Sequence, residues 1–193
     1  MSYAKPKPEL KLVISIGANI TGILGDPVRT IAAIRPQIEK SIIEWNVALN
    51  YPRIQYKNID KSLSFKWAPL YETDPLGGPP NQPKFINTVL VVEGEAFGKV
   101  KPNKKAAISL MKKLLALEKI AGRERNNTEI FWGPRSLDID LISWGDLQVN
   151  TETLILPHPR LSERNFVLIP LTEILSETQG KPRRIKSQKI WPK

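Results

Sequence analysis

The stretch Leu137-Asp138-Ile139-Asp140-Leu141-Ile142 constrains this chain more than any other. Leu137, Ile139 and Leu141 alternate with acidic positions inside a short apolar run, which is the period of a strand. Residues two apart on a strand share a face, so Asp138 and Asp140 project together, roughly 6–7 Å apart along the chain. Two such carboxylates repel each other, and Asp is depleted in strands. The arrangement is tolerated where something cationic sits between them, and a hard divalent ion held by carboxylate oxygens is the evident candidate. Arg135, just upstream, adds a planar fork suited to phosphate. Metal-binding carboxylates beside an arginine at a strand entrance imply phosphoryl-transfer chemistry. Capping of a turn or pairing with surface lysines would account for one such Asp, but not for two on one face.

The rest of the composition narrows the class. A length of 193 residues suits one domain with a sizeable core. There is no cysteine and only one histidine, so a disulfide framework, a thiolate site and a His-rich zinc site are all excluded. Met1 to Glu9 lacks the apolar core of a signal peptide, and no run reaches transmembrane length, so a cytoplasmic location is expected. The net charge of +10 raises the question of nucleic acid, but six of the basic residues fall in the last thirteen positions. Without them the charge is +4. A basic tail with proline is ordinarily solvated. No strand carries the aromatic-rich pattern of an RNA-binding sheet, so no nucleic-acid partner and no membrane partner is expected.

Along the chain, residues 1–9 read as a loose arm, 10–178 as the domain and 179–193 as the basic tail. Leu10 to Ala18 reads as a strand with Leu10, Leu12, Ile14 and Ile16 on one face. Asp26-Pro27 is a helix start, and Ile31, Ile34, Ile38 and Ile42 follow at helical spacing. Pro36 is expected to kink or interrupt that helix. Residues 45–61 carry no clear pattern. Leu63 to Tyr71 and Ile86 to Glu93 read as strands around a Pro/Gly-rich loop. Asn103 caps a second helix to about Ala121, with Ile108, Met111, Leu114 and Leu115 inward and Gly122 closing it. A polar stretch, Arg123 to Glu129, follows. Gly145-Asp146 is a hairpin turn into Leu147 to Asn150, and 166–175 is a short helix despite Pro170. The order β-α-β-β-α-β predicts an α+β fold, a ferredoxin-like sandwich with an antiparallel sheet.

The chain resembles the 6-hydroxymethyl-7,8-dihydropterin pyrophosphokinases of folate biosynthesis, over roughly Leu12 to Leu175. Four segments carry the resemblance. They are Ile16-Gly17-Ala18-Asn19; Tyr71-Glu72-Thr73-Asp74-Pro75-Leu76-Gly77 with Gln82-Pro83-Lys84-Phe85-Ile86-Asn87; Trp132-Gly133-Pro134-Arg135-Ser136-Leu137-Asp138-Ile139-Asp140; and Leu156-Pro157-His158-Pro159-Arg160 with Arg164 and Phe166-Val167-Leu168. The resemblance implies an ATP- and Mg²⁺-dependent transfer of an intact pyrophosphoryl group to the pterin hydroxymethyl oxygen, with release of AMP. It implies that Asp138 and Asp140 hold two Mg²⁺ ions and that Arg123 and Arg135 grip the phosphates. Arg123, His158 and Arg164 fall on the nucleotide side, as does Glu118. Phe85 and Phe166 would sandwich the pterin, Asn87 would read its edge, and Thr73 and Leu76 would complete the wall. Trp132 would sit on a lid loop. Either Asp140 or metal coordination would deal with the hydroxyl proton. Other folate-pathway enzymes are the protein partners to expect.

These assignments compete with plainer ones. Apart from its Pro-His-Pro-Arg setting, His158 would be a structural histidine, and Phe85 and Phe166 would be core residues. Glu118, read from helix periodicity alone, faces solvent, and the Gly17/Asn19 turn is structural. Leu115 stands where some family members carry glutamine, which leaves room for a pterin binder of weak activity. The loop from Arg123 to Trp132 is about two residues longer than in compact family members. The Walker pattern G-x-x-x-x-G-K-[ST] is absent, so ATP would have to be gripped by arginines and metal.

Overall fold

The computed structural model describes residues 10–50, 63–94, 101–123 and 131–179. The N-terminal arm, the basic tail from 180, residues 51–61 of the patternless segment and residues 124–129 of the polar stretch lie outside these. Strand β1 (Leu12–Ala18) leads into helix α1 (Pro27–Asn50). Strands β2 (Ser64–Trp67), β3 (Tyr71–Thr73) and β4 (Phe85–Glu93) follow, then helix α2 (Lys104–Ile120) and strand β5 (Asp138–Trp144). A short ribbon, β6 (Val149–Asn150) with β7 (Ile155–Leu156), precedes a 3₁₀ turn at Leu161–Glu163 and helix α3 (Asn165–Gln179). The main sheet runs β2-β4-β1-β5, with β3 extending the pairing along β4, and every pairing is antiparallel. This is the ferredoxin-like order expected from the sequence. Each βαβ crossover leaves a gap that a strand of the other unit fills.

Strand β1 is central and buried on both faces. Leu12, Ile14, Ile16 and Ala18 meet the two helices α1 and α2, where Ile31, Ile34, Ile38 and Ile42 form the stripe set by their spacing. Trp45 closes the layer, its indole N–H donating to the Ala106 carbonyl at 3.0 Å and its ring 5.0 Å from that of Trp144. The small Ala106 and Ala107 allow this close approach, and they turn α2 so that Leu110, Leu114 and Leu117 form its buried centre. Of the residues expected inward, Ile108 and Met111 only border the core, and Leu115 is half-buried. Asn103 caps α2 as expected, accepting from the Ala106 N–H at 3.0 Å. Gly122, at φ +88°, ends it in the left-handed conformation that favours glycine.

Three local expectations are corrected. Pro36 does not interrupt α1, which runs unbroken from Pro27 to Asn50; Pro36 and Ala32, whose carbonyl loses its helical donor, both lie on the exposed face. The expected strand from Leu63 to Tyr71 is two strands. Pro69 has no N–H to donate and breaks the ladder, while Ala68 on its near side still donates to Val89 O at 2.9 Å. Gly145 does turn the chain, with Leu147 N–H bonding Trp144 O at 3.1 Å, but the strand that follows pairs with β7 and not with β5. Among the described residues no helix is long and apolar enough to cross a membrane.

The second face of the sheet positions the site. Helix α3 lays Val167 and Ile174 on Val13, Val89, Val91 and Ile142, and so covers only half of it. An irregularity in register between Val13 and Ile14 lets Ile142 and Ser143 share that covered end. The uncovered half carries the polar residues of β1, β4 and β5. Because Ile38 is fully buried in the layer that supports this sheet, Ile38→Ala is expected to destabilise the fold by about 3 kcal/mol in chemical denaturation.

Candidate active site

Register assembles the site. Across three strands Asn87 stands opposite Gly17, and Gly17 opposite Asp138; one pair along, Val89, Ser15 and Asp140 form the next row. Cross-strand partners share a face, so Asp138 and Asp140 flank a floor made by Ser15 and Gly17, the small side chains on this face of β1. Gly17 is required there, because a Cβ at that position would fall 2.5 Å from Asn87 Oδ1. Asn87 is buried and donates through Nδ2 to Thr73 Oγ1 at 2.8 Å. Phe85, opposite Thr73, and Phe166 from α3 supply two aromatic rings. One cavity is lined by Thr73, Leu76, Phe85, Asn87, Trp132, Arg135, Asp138, Asp140, Arg164 and Phe166, all singled out from the sequence. Ser15, Gly17, Asp74 and Arg160 also line it. For Ser15 and Gly17 the available signal was two small residues at alternate positions, alternating with the bulky Ile14 and Ile16 of the other face.

The carboxylate pair is neutralised by guanidinium groups. Arg123 Nη1 donates to Asp138 Oδ1 at 2.5 Å and Arg135 Nη1 to Asp138 Oδ2 at 3.2 Å, while Arg164 Nη1 donates to Asp140 Oδ2 at 2.6 Å. These three cations answer the like-charge repulsion that the sequence raised. Asn19 holds the Arg135 segment from below: its Oδ1 accepts the Arg135 N–H at 2.7 Å, and its Nδ2 donates to Pro83 O at 3.0 Å. The turn read as structural thus ties two loops of the site together.

Arg123 and Glu118 do not line the cavity. Arg123, only 7% exposed, lies behind Asp138. Glu118 is 1% exposed, so the solvent-facing reading of it is overturned. Its Oε1 accepts from Arg123 Nη1 at 3.2 Å and from the Ile139 N–H at 2.8 Å. Strand β5 is the edge of the main sheet, and the outward Ile139 amide finds its acceptor in this carboxylate. Helix periodicity did not identify that need, which belongs to a different element.

His158 lines a groove on the other side of Asp140, together with Met111, Leu141, Leu154 and Ile155. Burial, followed by the charge of Arg164, lowers its pKa from the usual histidine value, which favours the neutral ring. Its Nδ1 accepts the Arg160 N–H at 3.3 Å, so in the neutral form Nε2 carries the proton.

Whether this donor set suits a metal can be judged from its geometry. Asp138 and Asp140 keep 25% and 27% of their side-chain surface exposed on the cavity wall. Among the described residues no group of three or more His, Asp or Glu side chains gathers. Two carboxylates with room for water and ligand oxygens fit Mg²⁺, which is seldom caged by protein alone.

An antiparallel α+β sandwich with an acid pair, guanidinium groups and two aromatic rings in one cavity defines a class: ferredoxin-like domains whose polar sheet end gathers paired acids and arginines beside aromatic side chains. The chain belongs to the 7,8-dihydro-6-hydroxymethylpterin-pyrophosphokinase (HPPK) family, whose sequence model matches residues 13–176, in agreement with the resemblance read from its motifs. It is 36% identical over 114 residues to the 2-amino-4-hydroxy-6-hydroxymethyldihydropteridine pyrophosphokinase of Bacillus subtilis, covering 59% of this chain and 60% of that protein. It is 41% identical over 97 residues to the protein of the same description from a Synechocystis species, covering 50% and 43%. A folate synthesis bifunctional protein of Arabidopsis thaliana is 38% identical over 106 residues, which are 55% of this chain and 19% of that one. The chain therefore spans three-fifths or less of the length of these relatives.

The fit of Gly17 against Asn87 yields a test. Gly17→Ala is expected to cost about 1–3 kcal/mol in thermal unfolding, as overpacking does, and to displace the Asn87 amide. An unchanged Asn87 side-chain NMR signal would contradict the account.

Proposed function

We propose that the chain is a pyrophosphokinase that transfers the pyrophosphoryl group of ATP to the hydroxymethyl oxygen of 6-hydroxymethyl-7,8-dihydropterin, a step of folate biosynthesis. The hydroxyl oxygen forms a bond to the β-phosphorus, the bond from that phosphorus to the α–β bridging oxygen breaks, AMP leaves, and the hydroxyl proton is lost. The observation that carries this reading is the single cavity with carboxylates and guanidinium groups at one end and Phe85, Phe166 and Asn87 at the other. A flat heteroaromatic ring suits two aromatic faces. Its mixed donors and acceptors suit a buried amide that can do both.

On this reading Asp138 and Asp140 would hold Mg²⁺, two ions by the family resemblance, and the metal would supply charge neutralisation at the phosphates. Arg135 and Arg164 grip the phosphates from the cavity wall. Arg123 holds Asp138 from behind, and Glu118 acts on the nucleotide side only through Arg123. The groove with Met111, Leu154, Ile155 and His158 takes the adenine, its apolar lining suiting the base and the neutral imidazole offering a hydrogen-bonding nitrogen. Thr73 and Leu76 wall the pterin, and Trp132 acts as the lid. The partners we assign are ATP and the reduced pterin, in the cytoplasm. The bifunctional description of the Arabidopsis relative is the ground for expecting other folate-pathway enzymes as protein partners.

Purified protein given ATP, Mg²⁺ and the hydroxymethyl-dihydropterin is expected to release AMP and the pterin diphosphate. Chelation of the metal should stop turnover. Asp140→Ala is expected to lower the rate at least a hundredfold, about 2.7 kcal/mol of barrier. Release of ADP, or no turnover, would remove this reading.

A further inference from the structure

We propose that Arg160 is a positioning residue for this reaction, holding the Trp132 indole against the mouth of the pterin end of the cavity; the proposal rests on the pyrophosphokinase reading. Among the described residues three arginines line the cavity. Arg135 and Arg164 pair with the Asp138–Asp140 couple, and Arg160 does not. Its guanidinium carbon lies 4.4 Å from the centroid of the Trp132 ring, a cation–π contact. Its edge is taken by Glu163, with Nε and Nη2 each 2.9 Å from Oε2. Glu163 therefore aims the guanidinium, and the guanidinium holds the ring.

Trp132 needs holding. Its φ is +55°, a left-handed conformation that persists in a bulky residue only where the surroundings impose it. The neighbouring Phe131 ring stacks on the indole with centroids 4.7 Å apart, and further restraints come from the facing loop. A Cβ on Gly77 would fall 2.6 Å from the indole Cε3, and one on Gly78 would fall 2.2 Å from the Trp132 carbonyl oxygen. Gln82 Nε2 donates to both Gly77 O and Trp132 O at 3.1 Å. The glycines leave room for the indole and Gln82 fixes its backbone. Of these groups Arg160 alone brings a charge to the ring, and it comes from the segment that also carries His158 and Arg164. Through Arg160, the side of the cavity that faces the nucleotide groove is tied to the loop that walls the pterin.

Full-length protein labelled with 5-fluorotryptophan tests the contact without turnover, with Trp132→Phe assigning the Trp132 resonance. Arg160→Ala is expected to move that fluorine signal and leave those of buried Trp45 and Trp144 in place, and Arg160→Lys should recover part of the shift. In the AMP assay, Arg160→Ala should raise the KM for the pterin about two- to fivefold, the range of an exposed cation–π contact, with a smaller change in kcat. The same substitution in a Trp132→Ala background should add nothing, and Glu163→Gln should reproduce part of the effect. An unmoved Trp132 signal overturns the proposal. So do additive losses, or a loss confined to the KM for ATP, which would make Arg160 a direct phosphate ligand. If the unsubstituted protein forms no AMP, the enzymatic reading fails and the positioning role in turnover falls with it, whereas the fluorine signal still separates that failure from loss of the contact itself.

Discussion

Two carboxylates held side by side on one strand would repel each other without their surroundings, and much of the site is arranged around that repulsion. Asp138 and Asp140 each meet a guanidinium within 2.6 Å, and Asp138 meets a second at 3.2 Å. The three arginines come from three places: the end of α2, the segment before β5 and the turn before α3. Each needs its own support. Glu118 stands behind Arg123, Asn19 pins the Arg135 backbone, and the 3₁₀ turn delivers Arg164, whose N–H bonds Leu161 O at 3.1 Å. Removing Arg164 would leave the partly buried Asp140 carboxylate without that guanidinium, which costs more than the lost contact alone.

The sheet face on which this happens does two jobs because its residues change character along the strands. On β4 the side chains on this face pass from Val91 and Val89 to Asn87 and Phe85; on β1 they pass from Val13 to Ser15 and Gly17; on β5 from Ile142 to Asp140 and Asp138. The apolar ends form a continuous patch, and α3 covers it. The polar ends coincide because the register aligns them. A slip of one residue between β1 and β5 would turn both carboxylates into the core opposite α1 and α2, so register and site are specified by the same apolar burial.

Much of this was legible in the sequence wherever the deciding interaction was local. Strand alternation placed both carboxylates, the Asn103 cap and Gly122 bounded α2, and isoleucine spacing oriented α1. Where the deciding partner was distant, local pattern failed. Glu118 looks like a solvent residue on its own helix, and its burial is explained by the outward Ile139 amide of β5 and by the buried Arg123. The sequence after Gly145 suggested a hairpin with β5, yet Val149 pairs with Leu156. The inward face of α2 was read slightly rotated because Ala106 and Ala107 look unremarkable until Trp45 is packed against them. The acid pair and its arginine were legible from local pattern, but the gathering of Phe85 and Phe166 in one cavity was not, since each reads alone as a core residue.

The arginine–carboxylate pairs also bear on how the proposed reaction would begin. Within the site the two charge types neutralise each other, so neither the carboxylates nor their guanidinium partners sit uncompensated in a partly buried cavity. On the proposed reading, ATP with Mg²⁺ would bring both complementary charges at once: cations for Asp138 and Asp140, and anionic oxygens for Arg135 and Arg164. The ligand can therefore replace internal ion pairs with external ones and keep the count of opposite-charge contacts roughly constant. A cation alone would strand the arginines, and a phosphate alone would strand the carboxylates. On the proposed reading this mutual exchange favours the complete metal–nucleotide complex over either part. Arg123 is the exception: behind Asp138 and bonded to Glu118, it would keep one cation on the carboxylate and hold Asp138 in place if the others changed partners.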